Sequence, residues 1–408
     1  MKERLQCTFY IEAKKRHCGM TRHAANKFCS EHLAKSNHSP TVQVANGLEF
    51  KRVPCPVDPK HTVWEHKLAK HVQKCSSLAK PITASWFELD CNSCKVTDNV
   101  LKGHPTDEEF VAFVEKLEKI YEVCGFAEIP LEQLTYEKEG LQERFEILKE
   151  SNQKHVIQQS SMIQHLEQLG ALSDSELSFV EFGCGRAELS YYLSKVLQKR
   201  NETQKVKTQF LLVDRGNPRM KFDHKMRESG INARRVKVDI KDLIVEKALR
   251  EEAEQDTSGY FGISKHLCGV ATDLTLRCVI NSDLAKFRGM TIAMCCRHCC
   301  QYDQLLAGSK DYLTELGISR PEFQLMLIKM VSWATSGKES YKKGENTEHF
   351  TGRSIQERFE IGLKARRIVD ESRLRGLRNH GLVGKLVRYV SFDTSPENCL
   401  LIVGPKTG

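Results

Sequence analysis

Four cysteine and histidine residues within one short segment have the spacing of metal ligands. Cys55, His61, His71 and Cys75 follow the pattern Cx5Hx9Hx3C, and the gap before Cys75 puts the last two side chains one helical turn apart. Zinc requires four donors that converge tetrahedrally, and a helical turn opposite a cysteine-containing loop supplies them. We therefore predict a CHHC zinc site here, with scattered solvated side chains as the alternative.

A second candidate metal site lies nearer the start of the chain. Cys7, Cys18, Cys29 and His32 follow the pattern Cx10Cx10CxxH, whose closing CxxH is typical of a zinc knuckle. His17 and His23 are the rival ligands. We therefore predict two structural zinc ions in all. The finger would display basic residues on loops that could bind phosphate: Lys14, Lys15, Arg16, Arg22 and Lys27.

A glycine-rich turn predicts a nucleoside site. The segment 179–193, FVEFGCGRAELSYYL, joins an apolar strand to a helix, and Gly183 and Gly185 allow the backbone to approach a ligand. Asp214 ends the next strand, where it can accept from both hydroxyls of a ribose. Together with Glu181, this acid favours the cationic S-adenosylmethionine over NAD or ATP. A structural turn and a surface acid are the alternative.

Two further segments are candidates for the rest of that site. Asp239 and Ile240 follow a third strand and could contact the adenine, although a strand-to-helix cap explains them equally well. Residues 154–160 precede the first strand and either border the cofactor or form a polar helix face.

Candidate catalytic residues follow the fourth and fifth strands, in the motifs SKHLCGVATD and AMCCRHCC. Ligands of open α/β sheets bind beyond the carboxyl ends of the strands. Methyl transfer to oxygen requires a hydroxyl that is aligned and loses its proton, and Lys265 or His266 could perform either task. Arg297 and His298 complete the predicted catalytic set. Each could instead be a structural hydrogen-bonding group.

The cysteines around Arg297 admit a metal-site interpretation that we do not favour. Adjacent residues of a strand point to opposite sides, so only a subset of Cys295, Cys296, Cys299 and Cys300 could share one ion. Buried thiols together with RNA-contacting Arg and His side chains are a sufficient explanation. Cys268 could be the nucleophile of a pyrimidine methyltransferase, but no proline precedes it.

Alternating strands and helices are predicted to position these residues in an α/β domain. The pattern predicts a parallel sheet, and the segments LVGKLVRYVSF and CLLIVGPK add an antiparallel hairpin at its end. This favours a Rossmann-like class I methyltransferase sheet. The predicted parallel strands are Leu177–Phe182, Thr208–Val213, Ala233–Val238, Gly259–Ser264 and Gly289–Met294.

Four regions follow from these patterns. We predict a CCCH finger over 1–38, a CHHC finger over 50–80, an acidic helical connector over 81–150 and a methyltransferase domain over 151–408. In the connector, Thr106 and Glu109 form a capping box that begins an amphipathic helix ended by Pro130, and 106–150 could contact another helix. The stretch 331–376 is interpreted as an insertion near the site, basic enough to touch RNA.

Composition sets broader limits. The chain has 62 Lys and Arg against 53 Asp and Glu, a net charge of +9 that suits a polyanionic partner without requiring one. No run of residues is long and apolar enough for a signal peptide or a membrane span, so we expect a protein of the cytoplasm or nucleus. In such a reducing compartment the 16 cysteines should be thiols or metal ligands.

The chain resembles a family of tRNA 2′-O-methyltransferases that modify nucleotide 4 of the acceptor stem. That family combines an N-terminal CCCH finger, a CHHC finger and a C-terminal S-adenosylmethionine-dependent domain. The resemblance covers nearly the whole length. It is carried by the two ligand sets and by the motifs FVEFGCGRAELS, SKHLCGVATDL and AMCCRHCCQYD.

The resemblance implies methylation of a ribose 2′-hydroxyl in tRNA, with S-adenosylhomocysteine as the by-product. The zinc modules would then bind the substrate beside a catalytic domain. A-form RNA exposes its 2′-hydroxyls in a shallow minor groove, so a basic surface that recognises shape suits this target. Two other functions remain open at this point. One is a catalytically silent RNA-binding adaptor, and the other is a cysteine-dependent pyrimidine C5 methyltransferase of RNA.

Overall fold

The computed structural model divides into two compact units, Met1–Thr83 and Ala84–Gly408. It describes residues 5–12, 16–22, 24, 26–29, 32, 41–43, 49–59, 62–75, 83–95, 103–134, 141–200, 207–216, 218, 221–251, 258–343 and 349–405.

The first unit consists of short elements. Strands β1 (Tyr10–Ile11) and β2 (Arg16–His17) pair antiparallel, and β3 (Thr41–Gln43), β4 (Glu49–Pro54) and β5 (Thr62–Trp64) form a three-stranded antiparallel sheet. A 3-10 turn at Glu65–Lys67 leads into helix α1 (Leu68–Val72). Elements this short bury little apolar surface, so bound metal is the natural source of their stability.

A seven-stranded sheet organises the second unit. Its order is β11-β12-β10-β9-β6-β7-β8, parallel except that β12 runs antiparallel to both β10 and β11. This order, with its antiparallel terminal pair, is that of class I methyltransferases and confirms the predicted fold class. The strands are β6 (Leu177–Phe182), β7 (Gln209–Asp214), β8 (Asn232–Lys237), β9 (Gly259–Cys268), β10 (Phe287–Cys295), β11 (Leu382–Arg388) and β12 (Cys399–Pro405).

Helices cover the sheet, so a central strand such as β6 (LSFVEF) is buried at every residue. No described helix is both long and apolar enough to cross a membrane. The helices are α2 (Asp107–Cys124), α3 (Leu141–Ile147), α4 (Glu150–Gln168), α5 (Glu188–Arg200), α6 (Asp223–Glu228), α7 (Val245–Arg250), α8 (Val270–Ile280), α9 (Ala307–Glu315), α10 (Arg320–Glu322), α11 (Ile328–Lys343) and α12 (Ile355–Arg378). A π-helical turn, Phe323–Leu327, joins α10 to α11, and 3-10 turns lie at Ile240–Asp242, Arg297–Cys299 and Tyr302–Gln304.

Helix α2 begins as predicted but ends earlier. Thr106 and Glu109 form the expected capping box. The helix stops at Cys124 because Gly125 adopts a left-handed conformation, with φ of 54°, and not because of Pro130. Its apolar face packs into one core with residues of α11 and α12, so we describe it within the second unit and not as a separate connector.

Residues 84–95 also belong to the second unit. Phe87 forms an isolated antiparallel bridge with Leu243, and the side-chain amide of Asn92 donates to the carbonyls of Ile240 and Leu243, at 2.9 and 2.7 Å. These bonds support the loop that follows β8, at the edge where a ligand of this fold binds.

The described helices of the stretch expected to be a basic insertion instead pack into the core. Helices α11 and α12 pack against each other and bury Ile361, Ala365, Ile368 and Val369. Two of the arginines expected to face RNA, Arg366 and Arg373, are buried as well. Sequence alone misplaced them because their carboxylate partners lie far away along the chain.

Candidate cofactor-binding and catalytic site

The glycine-rich turn lies between the end of β6 and the start of α5, where the sequence predicted it. Gly183 and Gly185 have φ values of +63° and +48°, a region that strongly favours glycine. A Cβ on Gly183 would lie 3.1 Å from Leu267 Cδ1, whereas a Cβ on Gly185 would meet nothing within 4 Å. The turn is therefore packed against β9 on one side and open at Gly185.

The carboxylate of Asp214 is held at this turn by backbone donors. The Gly185 NH donates to Oδ2 at 2.7 Å, and the Gly216 NH donates to Oδ1 at 2.6 Å. Asp214 is the last residue of β7, beside the carboxyl end of β6. The structure thus brings together the glycines and the acid that the sequence assigned to one site.

Glu181 is also close to the turn, but it is buried. Its Oε2 accepts from both the backbone NH and the hydroxyl of Ser190 at the start of α5. Burial raises the pKa of Glu181 to about 7, with the Ser190 hydrogen bonds acting in the opposite direction. Near neutral pH, this site can therefore hold either a carboxylic acid or a carboxylate.

Asp239 and Ile240 begin the short 3-10 turn after β8. Asp239 caps that turn, because its Oδ1 accepts from the Lys241 NH at 3.2 Å, while Arg215 lies 3.9 Å from its other oxygen. The Ile240 side chain is buried. The strand-to-helix cap, which is the alternative interpretation of these residues, is therefore present. Their contact with adenine stays a prediction.

Lys265 and His266 lie near the end of β9 and have different environments. The Lys265 Nζ is 3.3 Å from Nδ1 of His155 on α4, a residue of the segment expected to border the cofactor. Burial lowers the pKa of Lys265 to about 8, against the opposing effect of the Glu188 carboxylate. Desolvation, followed by the charge of Lys265, lowers the pKa of His266 to about 4.

Arg297 and His298 do not form one group. The Arg297 side chain is buried, with Nε and Nη2 donating to Asp370 at 2.9 and 2.8 Å and Nη1 donating to Glu397 at 2.7 Å. These bonds engage the guanidinium with carboxylates, which favours a structural role over the predicted catalytic one. His298 is exposed on the adjoining turn, and its catalytic role stays a prediction.

Sequence reasoning missed the buried ionic network behind this turn. Arg373 pairs with Asp273 through Nε and Nη2, at 2.8 and 2.9 Å, and its Nη1 lies 3.3 Å from Asp370. The network joins α8 and α12 to the end of β10 through Arg297. In the sequence, this network appears only as a run of mixed charges in α12, a pattern that is typical of a solvent-exposed helix face.

The four predicted ligands of the CCCH site converge in the first unit. The donor atoms of Cys7, Cys18, Cys29 and His32 all lie within 4.8 Å of one another, and the three cysteines are buried. His32 Nδ1 is 3.5 Å from Cys7 Sγ and 3.4 Å from Cys29 Sγ. Three thiol groups and an imidazole converging at these distances fit a tetrahedral zinc ion.

Three ligands of the CHHC site converge in the same way. The donor atoms of Cys55, His71 and Cys75 lie within 4.8 Å of one another, with His71 Nε2 at 3.2 Å and Cys75 Sγ at 3.7 Å from Cys55 Sγ. The fourth predicted ligand, His61, lies outside the described residues. Its ligand role stays a prediction.

Family models match both units of the chain. "Methyltransferase TRM13" matches residues 157–404, "CCCH zinc finger in TRM13 protein" matches 5–33, and "U11-48K-like CHHC zinc finger" matches 52–76. The two finger matches contain both candidate ligand sets and, with the converging donors, support zinc as their metal.

Relatives match almost from end to end. The tRNA:m(4)X modification enzyme TRM13 of Saccharomyces cerevisiae is 37% identical over 470 residues, covering 99% of this chain and 97% of that protein. The enzyme of the same name from Scheffersomyces stipitis is 39% identical over 426 residues, covering 96% and 99%. The one from Schizosaccharomyces pombe is 32% identical over 368 residues, covering 87% and 95%.

Proposed function

The chain belongs to the TRM13 methyltransferase family, and from that membership we propose that it methylates the ribose 2′-hydroxyl of nucleotide 4 in the tRNA acceptor stem, with S-adenosylmethionine as the methyl donor. Family membership confirms the resemblance expected from the sequence. The relatives are named as tRNA-modifying enzymes with position 4 in their names, which supports the substrate.

The observation that carries the proposal is the hydrogen bond between Asp214 and Gly185. It places a carboxylate beside the one turn glycine whose Cβ position is open, and a nucleoside with two ribose hydroxyls fits such an arrangement. Glu181 adds a second carboxyl group near the turn and is suited to a cationic ligand. S-adenosylmethionine, when bound, supplies an electrophilic methyl group.

Lys265 is the stronger candidate for the base that takes the proton from the ribose hydroxyl. A general base is most effective when its pKa lies near the working pH. The pKa of Lys265 is lowered to about 8, so part of the population is neutral at pH 7.5, whereas His266 has a pKa of about 4 and is a weak base. We assign His266 the task of orienting the hydroxyl as a neutral ring.

The fingers are proposed to hold the RNA. Arg16 and Lys27 are exposed and lie between metal ligands in the sequence, and an exposed cation on a small rigid module can contact phosphate. A-form RNA presents its 2′-hydroxyls in a wide, shallow minor groove, so a module that reads shape through the backbone suits an acceptor stem.

Incubation of the full-length protein with isotopically labelled S-adenosylmethionine and unmodified tRNA tests the proposal. Nucleoside analysis should find one 2′-O-methylated nucleoside, mass spectrometry of nuclease fragments of the tRNA should locate it at position 4, and Asp214→Ala should remove most of the labelled product. Label on a base would instead support the pyrimidine methyltransferase and would overturn the proposal. So would tRNA binding without transfer of label, which is the behaviour of an adaptor.

A further inference from the structure

Three cysteine sulfurs meet where β9 and β10 end, outside both zinc fingers. The sulfurs of Cys268, Cys295 and Cys296 all lie within 4.8 Å of one another, and Cys268 Sγ is 3.1 Å from Cys295 Sγ. Cys268 and Cys295 are the last residues of their strands and are register partners in the parallel pair. The sheet therefore sets the spacing of these two thiols.

The third thiol reaches the same point because of an unusual backbone conformation. Consecutive residues of an extended strand point to opposite sides, so the strand pattern alone argues against a site shared by Cys295 and Cys296. Cys296, however, has φ of 47° and ψ of 43°, the left-handed region, so the chain turns at this residue and its sulfur joins that of Cys295. For a residue other than glycine this conformation is uncommon, and backbone strain of this kind concentrates at functional sites.

The surrounding turn holds this arrangement in place. The Gly269 NH donates to the Cys295 carbonyl at 3.1 Å, which ties the residue after Cys268 to the end of β10. Gly269 has φ of +48°, and a Cβ there would lie 2.4 Å from Cys299 Cβ, so the two turns approach as closely as only glycine permits. The thiols are thus fixed relative to one another by both strand ends.

We propose that Cys268, Cys295 and Cys296 bind a zinc ion through three thiolates, distinct from the ions of the two fingers. Soft thiolate donors select zinc among the common divalent ions, and three converging sulfurs supply three corners of its tetrahedron. Among the described residues, the group within reach consists of these three, so the fourth position is open to a further ligand such as water. Cys268 is exposed, which leaves that position accessible from solvent.

A disulfide between Cys268 and Cys295 is the competing use of the same residues. It would consume two sulfurs and leave the left-handed conformation of Cys296 without a function, whereas the zinc site uses all three. Zinc binding here does not depend on methyl transfer, so this inference and the proposed function fail independently.

The test is the zinc content of the purified full-length protein and its variants, measured by inductively coupled plasma mass spectrometry. Cys268→Ser should lower the zinc content by about one ion per chain relative to the parent protein, and Cys268→His should restore it because imidazole is also a zinc ligand. Cys299→Ser is the matched control, since Cys299 is exposed, lies on the turn that follows Cys296 and is outside the group of three. It should keep the zinc content of the parent protein.

A second measurement covers the possibility that zinc is lost during purification. The protein is stripped of metal, reloaded with cobalt(II) and examined for the thiolate-to-cobalt charge-transfer absorption, which Cys268→Ser should reduce and Cys299→Ser should preserve. Equal zinc content and equal absorption in the parent protein and Cys268→Ser would overturn the proposal. Detection of a Cys268–Cys295 disulfide by mass spectrometry of the freshly isolated protein would overturn it as well.

Discussion

The Asp214 carboxylate accepts a hydrogen bond from the backbone NH of Gly185 at 2.7 Å, which joins the end of β7 to the glycine turn after β6. This bond holds the negative charge beside the turn, where we propose that it binds the ribose of the cofactor. Asp214→Ala should therefore weaken S-adenosylmethionine binding at least tenfold, or about 1.4 kcal/mol, measured by isothermal titration calorimetry. Asp214→Asn keeps an acceptor oxygen and should show an intermediate loss.

Asp311→Asn is the control for that measurement. Asp311 is an exposed residue of α9, so its replacement removes the same charge away from the glycine turn and should leave the affinity unchanged. An Asp214→Ala variant that binds the cofactor as tightly as Asp311→Asn would exclude Asp214 from the site.

The two turn glycines should respond differently to alanine. Both have positive φ, so a Cβ at either position costs about 1–2 kcal/mol of folding stability. Gly183→Ala also crowds Leu267, but Gly185→Ala projects its methyl group into space that we assign to the cofactor. We expect Gly185→Ala to lose cofactor affinity beyond its loss of stability, measured by thermal denaturation with and without S-adenosylmethionine.

Gly230 provides a matched control for this comparison. It has φ of +77° and open space around its Cβ position, so Gly230→Ala introduces the same kind of strain away from the turn. If Gly230→Ala and Gly185→Ala show the same thermal shift on adding cofactor, the space beside Gly185 is not the binding site.

The sheet was predictable because its central strands, such as β6 and β7, are apolar runs between polar segments. Leu177–Phe182 was predicted to the residue, and the terminal hairpin was found from two apolar segments joined by a polar turn. A parallel strand buried on both faces produces this strong signal. Gly259–Cys268 proved longer than predicted, since the polar residues Lys265 and His266 interrupt its apolar run and resemble the start of a loop.

The site was predictable where a local motif defines it and not where distant partners do. The proximity of Gly183, Gly185 and Asp214 could be predicted because a tight turn and a strand-terminal acid are recognisable along the chain, and the hydrogen bond between Gly185 and Asp214 confirms that they meet. Their role in binding the cofactor stays a prediction. The buried environment of Arg297 could not be predicted, because its partner Asp370 lies 73 residues further along the chain. The strand pattern argues against a metal site shared by Cys295 and Cys296, because neighbouring residues of a strand point to opposite sides. The left-handed backbone of Cys296 breaks that pattern.

The pH dependence of methyl transfer should follow the deprotonation of Lys265. With cofactor saturating, kcat/KM for tRNA should rise with pH and level off above about 8, because the base must be deprotonated and the pKa of Lys265 is lowered to about 8. Lys265→Arg stays protonated at these pH values and should lose about 100-fold or more of kcat.

His266→Gln separates the two candidate bases. If His266 only orients the hydroxyl, His266→Gln should reduce kcat, but kcat/KM should still rise with pH and level off above about 8. If the rise of kcat/KM with pH disappears in His266→Gln but persists in Lys265→Arg, His266 is the base and Lys265 is not.

Removing Arg297 should destabilise the second unit, because the buried carboxylate of Asp370 would lose its main partner. Arg297→Met leaves the carboxylates of Asp370 and Glu397 without their main partner in a buried environment, so the free energy of unfolding should fall by about 3–5 kcal/mol in urea denaturation. Arg353→Met is the control, because its ion pairs with Glu118 and Glu357 are partly exposed to solvent, so its loss of stability should be much smaller. Cofactor affinity of the folded Arg297→Met protein should be retained at low temperature. Equal losses of stability in the two variants, or lost activity in Arg297→Met at full stability, would return Arg297 to the catalytic role expected from its motif.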